Sequence, residues 1–187
     1  MTAQQASVRN TEMLQSFVRL TEFAQERAVR AILIAGDLFD GARVRARTVD
    51  ALLAAIRRTP EVDYLYLPGN HDEAANAFCD CALPENLKVF GKKWTTYRYD
   101  GIVISGAQLG LDAAFYEALP HTDGAVNLVM LHGGIGTACG EDMINLNLLK
   151  NRGIDYLALG HIHSYQTGPL DETGSYCYPG CLEGRGF

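Results

Sequence analysis

Four apolar, β-favouring runs punctuate the chain, and each ends on a short block of glycines and metal-binding side chains. The runs are Ala31-Ile32-Leu33-Ile34-Ala35, Tyr64-Leu65-Tyr66-Leu67, Leu128-Val129-Met130-Leu131 and Tyr156-Leu157-Ala158-Leu159. The blocks that follow them are Gly36-Asp37-Leu38-Phe39-Asp40, Gly69-Asn70-His71-Asp72, His132-Gly133 and Gly160-His161-Ile162-His163. Short apolar runs bounded by turn residues read as buried strands. In a sheet with parallel strands, the loops at the carboxyl ends open onto one crevice, so distant stretches can assemble into a single site. Any fold for this chain must therefore bring four strand ends together.

The surrounding pattern fits a layered α/β domain. Met13, Phe17, Leu20 and Ala24 mark one face of a helix from about Glu12 to Ala28. Thr48 is expected to cap a second helix whose buried face is Val49, Leu52, Leu53 and Ile56, with Pro60 closing that region. Strands are expected at Leu87–Phe90, Thr95–Tyr99 and Ile102–Ser105, the last two joined by Asp100-Gly101, a strong hairpin signal. A helix is expected over Asp112–Leu119, another over Glu141–Asn151, and a final hairpin brackets Asp171-Glu172-Thr173-Gly174. Helix and strand alternate first and strands dominate later, which suggests two mixed sheets packed face to face between helices. No repeat or interdomain linker interrupts the chain, so residues 1–187 read as one domain.

Composition narrows the partners. No apolar run approaches the roughly 20 residues that span a bilayer, and Met1–Ser7 lacks a secretory pattern, so a cytoplasmic location is expected. Cys79, Cys81, Cys139, Cys177 and Cys181 form no C-x-x-C pair and read as reduced thiols. A net charge of −6 argues against holding nucleic acid by bulk electrostatics. It does not exclude a nuclease, because bound divalent cations can be the largest positive charges in a phosphate site. Arg43, Arg45, Arg47, Lys92 and Lys93 read as solvated surface.

Each block has its own chemistry. The Asp37 carboxylate could bridge two cations through its two oxygens, although Gly-Asp alone is common in turns. Gly69-Asn70-His71-Asp72 joins a neutral oxygen donor, an imidazole and a carboxylate within four residues. His161 and His163 occupy alternate positions after a strand, and in an extended segment both rings would face one site. Asp37, Asn70, His132, His161 and His163, one Asp, one Asn and three His gathered at strand ends, point to a metal-dependent hydrolase.

In this order the blocks resemble the signature of the calcineurin-like metallophosphoesterase superfamily, and within it the SbcD-type DNA-repair exonucleases. The resemblance covers nearly the whole chain, from the first helix to Tyr178-Pro179-Gly180 and Gly184-Arg185. Its exonuclease-like character rests on Ala35-Gly36-Asp37-Leu38-Phe39-Asp40, Val89-Phe90-Gly91 and that terminal stretch. The resemblance implies an αββα sandwich and a two-metal phosphoesterase, with manganese the expected metal and iron or zinc the alternatives. Asp37 would bridge the metals, Asn70, His132 and His161 would complete one ion's ligands, and His163 would serve the other. His71, oriented by Asp40, would protonate the leaving group or stabilise the phosphoryl charge. DNA or another phosphoester is the implied substrate, and a homodimer working with a coiled-coil ATPase the implied assembly.

One departure shapes the expectation. Family members begin with a strand carrying Asp-x-His, which holds the metal that His163 would share, and no such motif precedes the first helix here. The chain reads as a start within a longer frame. It is expected to bind one metal well and the second weakly or not at all, and to present an open sheet edge. A phosphatase or small-molecule phosphodiesterase on the same fold is the alternative enzyme, and a non-catalytic remnant binding one metal is the alternative from another class.

Overall fold

A computed structural model of the chain describes residues 3–39, 44–69, 72, 78, 81–110, 112–140 and 142–183, with side chains from Thr11 onward. The first layer is helical. Helix α1 (Ala3–Glu26) and helix α2 (Ala46–Arg57) lie together against the outer face of a three-stranded sheet. That sheet is parallel, in the order β1 (Ala31–Ala35), β2 (Asp63–Leu67), β3 (Leu87–Val89). In α1, Phe17 and Ala24 are buried as the spacing predicts, but Met13 is exposed, and Leu14, Val18 and Thr21 complete the inward face. Helix α2 starts at Ala46 with Arg45 at its N-cap, so Thr48 lies within the first turn and is not the cap. Its expected face, Val49, Leu52, Leu53 and Ile56, is fully inside.

The second sheet has six strands in the order β10 (Gln166–Pro169), β11 (Ser175–Tyr178), β9 (Tyr156–Gly160), β6 (Val126–His132), β5 (Ile102–Gly106), β4 (Thr95–Tyr99). Its four central strands run parallel, and the antiparallel hairpins β4–β5 and β10–β11 supply its flanks. Tyr99 pairs with Ile102 across Asp100 and Gly101, and Gly101 has φ +72°, as a two-residue hairpin loop demands.

The two sheets face each other across Leu65, Leu67, Phe90, Ile104, Met130 and Ala158, with β1 lying over β6 and β9. A polar tie crosses the same gap. Lys88 Nζ and Tyr99 OH both donate to Asp63 Oδ2, at 2.6 and 2.7 Å. The outer face of the six-stranded sheet is covered by a short helix α3 (Ala113–Glu117), a two-stranded parallel sheet of β7 (Gly134–Gly136) and β8 (Met143–Asn145), and a 3-10 turn at Leu146–Leu148.

The helix expected over Glu141–Asn151 is therefore not formed. Its middle pairs with β7, Ile144 is buried, and Asn145 accepts from Asn147 N–H to start the 3-10 turn. A short apolar run is ambiguous between helix and strand, and here a neighbouring strand decides it. Among the described residues, β1 has a strand partner on one side only, and all five of its residues remain half-buried despite being apolar. This matches the expected open edge. The layered α/β class with mixed sheets is also as expected, although its second outer layer is mostly non-helical.

Candidate metal centre

The carboxyl ends of β1, β2, β6 and β9 open onto one place where the two sheets meet. Asp37 stands two residues beyond β1, His132 is the last residue of β6, and His161 directly follows β9. One potential ligand atom from each lies within 4.8 Å of the others, although the three residues are far apart in sequence. His132 is buried and its Nε2 is 3.6 Å from Asp37 Oδ2. The rings of His132 and His161 are 5.3 Å apart and nearly perpendicular, at 88°.

Backbone geometry orients the imidazole of His132. Its Nδ1 is 2.8 Å from the carbonyl oxygen of Ala35. A carbonyl can only accept, so Nδ1 carries the proton and Nε2 can present a lone pair toward Asp37. A ligating histidine usually has its other nitrogen held in this way, which fixes both tautomer and ring orientation. A carboxylate oxygen and an acceptor nitrogen have no proton to share, so this 3.6 Å approach is not a hydrogen bond. They suit donors sharing one ion, which at about 2.1 Å each lie no more than about 4.2 Å apart. An Asp, His, His set fits manganese, iron or zinc and does not choose among them.

Glycines make the close approach possible. A Cβ on Gly36 would lie 2.1 Å from His132 Nδ1, and one on Gly69 would lie 2.6 Å from Asp37 Oδ1. A Cβ on Gly160 would lie 1.5 Å from the Ala35 carbonyl oxygen. Two of the clustered residues are held in left-handed backbone conformations, Asp37 at φ +51° and His161 at φ +97°. Such residues cost roughly 1–3 kcal/mol and persist where the surroundings over-determine them.

His161 and His163 differ in backbone and exposure. His161 has a positive φ and is in the cluster, and His163, expected on the other ion, is exposed. His163 is anchored by its backbone, its carbonyl accepting from Cys181 N–H at 3.3 Å. Asp40, Asn70 and His71 lie outside the described residues.

Two contributors had no assigned role in the sequence. Asp72 is buried and accepts from the N–H groups of Phe39, Gly69 and Leu38. The visible signal was its residue type in a short polar block after a strand, since Asp side chains commonly accept from nearby backbone N–H groups. Tyr178 donates its hydroxyl to the Gly133 carbonyl at 2.7 Å, supporting the segment just after His132, and burial pushes its pKa up to about 12. Its partner lies just past the end of β6, far away in sequence, so no local pattern announces it.

Residues 12–165 match the calcineurin-like phosphoesterase family. The uncharacterized metallophosphoesterase YhaO of Bacillus subtilis (strain 168) is 29% identical over 172 residues, covering 82% of this chain and 41% of that protein. The DNA double-strand break repair protein Mre11 of Methanopyrus kandleri is 26% identical over 203 residues, 94% of this chain and 44% of that protein. The chain thus spans less than half the length of these relatives. A solved structure, the 5'-nucleotidase from Candida albicans SC5314, aligns with a TM-score of 0.46 at 18% identity over 87% of this chain and 39% of the other. Because the family match runs from α1 past the last histidine block, and so encloses every strand end that carries the cluster, the chain belongs to the calcineurin-like phosphoesterase family.

Proposed function

We propose that this chain is the catalytic portion of a metal-dependent phosphodiesterase of the SbcD and Mre11 nuclease type, acting on DNA in the cytoplasm. The observation that carries the reading is the convergence of Asp37, His132 and His161, with His132 oriented by the Ala35 carbonyl. The similarity to a protein named for DNA double-strand break repair supports the nuclease side.

In this reading Asp37, Asn70, His132 and His161 hold one divalent ion, manganese being the proposed one, and Asp37 with His163 faces a second. When bound, such ions neutralise phosphoryl charge and acidify the attacking water. The chain's own groups supply the rest. Ala35 keeps the His132 proton on Nδ1, the three glycines let the ligands approach, and His71 with Asp40 delivers a proton to the leaving oxygen. A homodimer and a coiled-coil ATPase partner belong to the same proposal.

A one-ion site is the second reading, and the exposed position of His163 outside the cluster favours it. The test is metal content per folded chain after manganese equilibration and gel filtration, followed by cleavage of linear duplex DNA. One tightly held ion, lost in His132→Ala, is the expected result. Manganese retained undiminished in His132→Ala would overturn the assignment of the site. Hydrolysis of phosphomonoesters with DNA left intact would replace the nuclease with a phosphatase. A chain that holds one ion and hydrolyses neither would be the non-catalytic form.

A further inference from the structure

A buried carboxylate needs hydrogen-bond donors to offset its desolvation. Asp72 finds three, all backbone, on two different loops. Its Oδ1 accepts from Phe39 N–H at 2.8 Å, and its Oδ2 from Gly69 N–H at 3.0 Å and Leu38 N–H at 3.2 Å. The N–H of Asp72 in turn donates to the Gly69 carbonyl at 3.1 Å, a second tie between these two residues. Leu38 and Phe39 directly follow Asp37, whose left-handed backbone would relax if that segment were released. Hydrogen bonds to an ionised acceptor are roughly twice as strong as neutral ones, so this one side chain is a firm link between the two loops.

Tyr66 supports the same picture. Its hydroxyl is buried close to the Asp72 carboxylate. Burial first, and the nearby Asp72 charge second, hold its phenol protonated far above the ordinary range.

We propose that Asp72 is the positioning residue of the metal centre, locking the segment that follows Asp37 to Gly69 at the end of β2. The position of Asp37 relative to the end of β2 is then set by a side chain outside the cluster of Asp37, His132 and His161. This rests on the metal-site reading above.

Asp72→Asn tests it, because the amide keeps the volume but turns an NH2 group toward backbone N–H donors. Manganese affinity is measured by titration calorimetry on the folded wild type, Asp72→Asn and a control, Asn86→Ala. Asn86 donates to the carbonyls of Ile56, Thr59 and Val62 at the α2–β2 connection, so its loss weakens the fold without touching either site loop. The expected result is about tenfold weaker manganese binding in Asp72→Asn, with cooperative unfolding retained, and unchanged binding in Asn86→Ala. Wild-type affinity in folded Asp72→Asn overturns the inference. So does an equal loss in Asn86→Ala, which would mean that any destabilisation suffices. If Asp72→Asn does not fold, Asp72→Glu keeps the charge but displaces the acceptors by a methylene, and wild-type binding in that variant overturns the inference equally. A wild type that binds no manganese refutes the metal-site reading itself, and this inference with it.

Discussion

Gly160→Ala should damage both stability and metal binding, and the structure sets the scale of each. Gly160 lies beside His132 in register, and an added Cβ would sit 1.5 Å from the carbonyl oxygen of Ala35 and 2.8 Å from His132 Nδ1. The Ala35 oxygen is backbone and cannot swing aside. Restoring ordinary contact at 3.4 Å requires β1 and β9 to part by about 1.9 Å. The 2.8 Å bond between His132 and Ala35 crosses the same gap and would break. Overpacking costs roughly 1–3 kcal/mol and the lost bond about 1 kcal/mol more, giving about 2–4 kcal/mol in all. Asp37 moves with β1, whereas His132 and His161 move with the other sheet. Ligand atoms now within 4.8 Å would then separate beyond what one ion spans. Manganese affinity should fall by about 10–100-fold, as when a ligand loses its outer support. Urea unfolding followed by circular dichroism reads the first effect, with an unchanged m-value, and titration calorimetry reads the second. A variant with the wild-type midpoint and wild-type affinity would refute the reasoning, because the close approach of β1 and β9 would then not be what orients His132.

Two further substitutions probe the scaffold. The Asn86 amide nitrogen is placed against three backbone carbonyls at 2.9–3.1 Å, but it has only two protons. Asn86→Ala should therefore cost about 2 kcal/mol, two net hydrogen bonds, and an unfolding midpoint equal to wild type would contradict this. Asp171 accepts from the backbone N–H groups of Gly174, Asn151 and Thr173, which lower its pKa from 3.8 to about 2. Its stabilising contribution is fully present above the unfolded pKa near 3.8 and is lost as pH falls through about 2. Discounted for solvent screening at this surface turn, it is about 1 kcal/mol. Asp171→Asn should destabilise by that amount at pH 7, and in urea titrations the difference from wild type should shrink from pH 4 to pH 2 and vanish below it. A penalty that persists unchanged to pH 2 would show that charge is not its source.

Much of this architecture was legible along the chain. The run Ala31–Ala35 is β1 residue for residue, Thr95–Tyr99 is β4, and the Asp100-Gly101 loop joins β4 to β5. The burial of Val49, Leu52, Leu53 and Ile56 follows from their helical spacing. These signals are local, because side-chain direction in a strand or helix repeats every two or 3.6 residues. The stretch Met143–Leu149 fails for the complementary reason. Its apolar residues fit either period, and pairing with β7 fixes the outcome.

The candidate site divides along the same line. Residue type and placement at strand ends marked Asp37, His132 and His161, since carboxylates and imidazoles after apolar strands are few in this chain. Nothing local marked the left-handed backbone at His161. Nor could spacing reveal that a carbonyl 97 residues away sets the His132 tautomer, or that Asp72 reaches donors 33 and 34 residues back. Ligand identity is a property of side chains and can be read one residue at a time. Ligand geometry depends on how closely two sheets and their loops approach, and that distance exists only once the chain has packed.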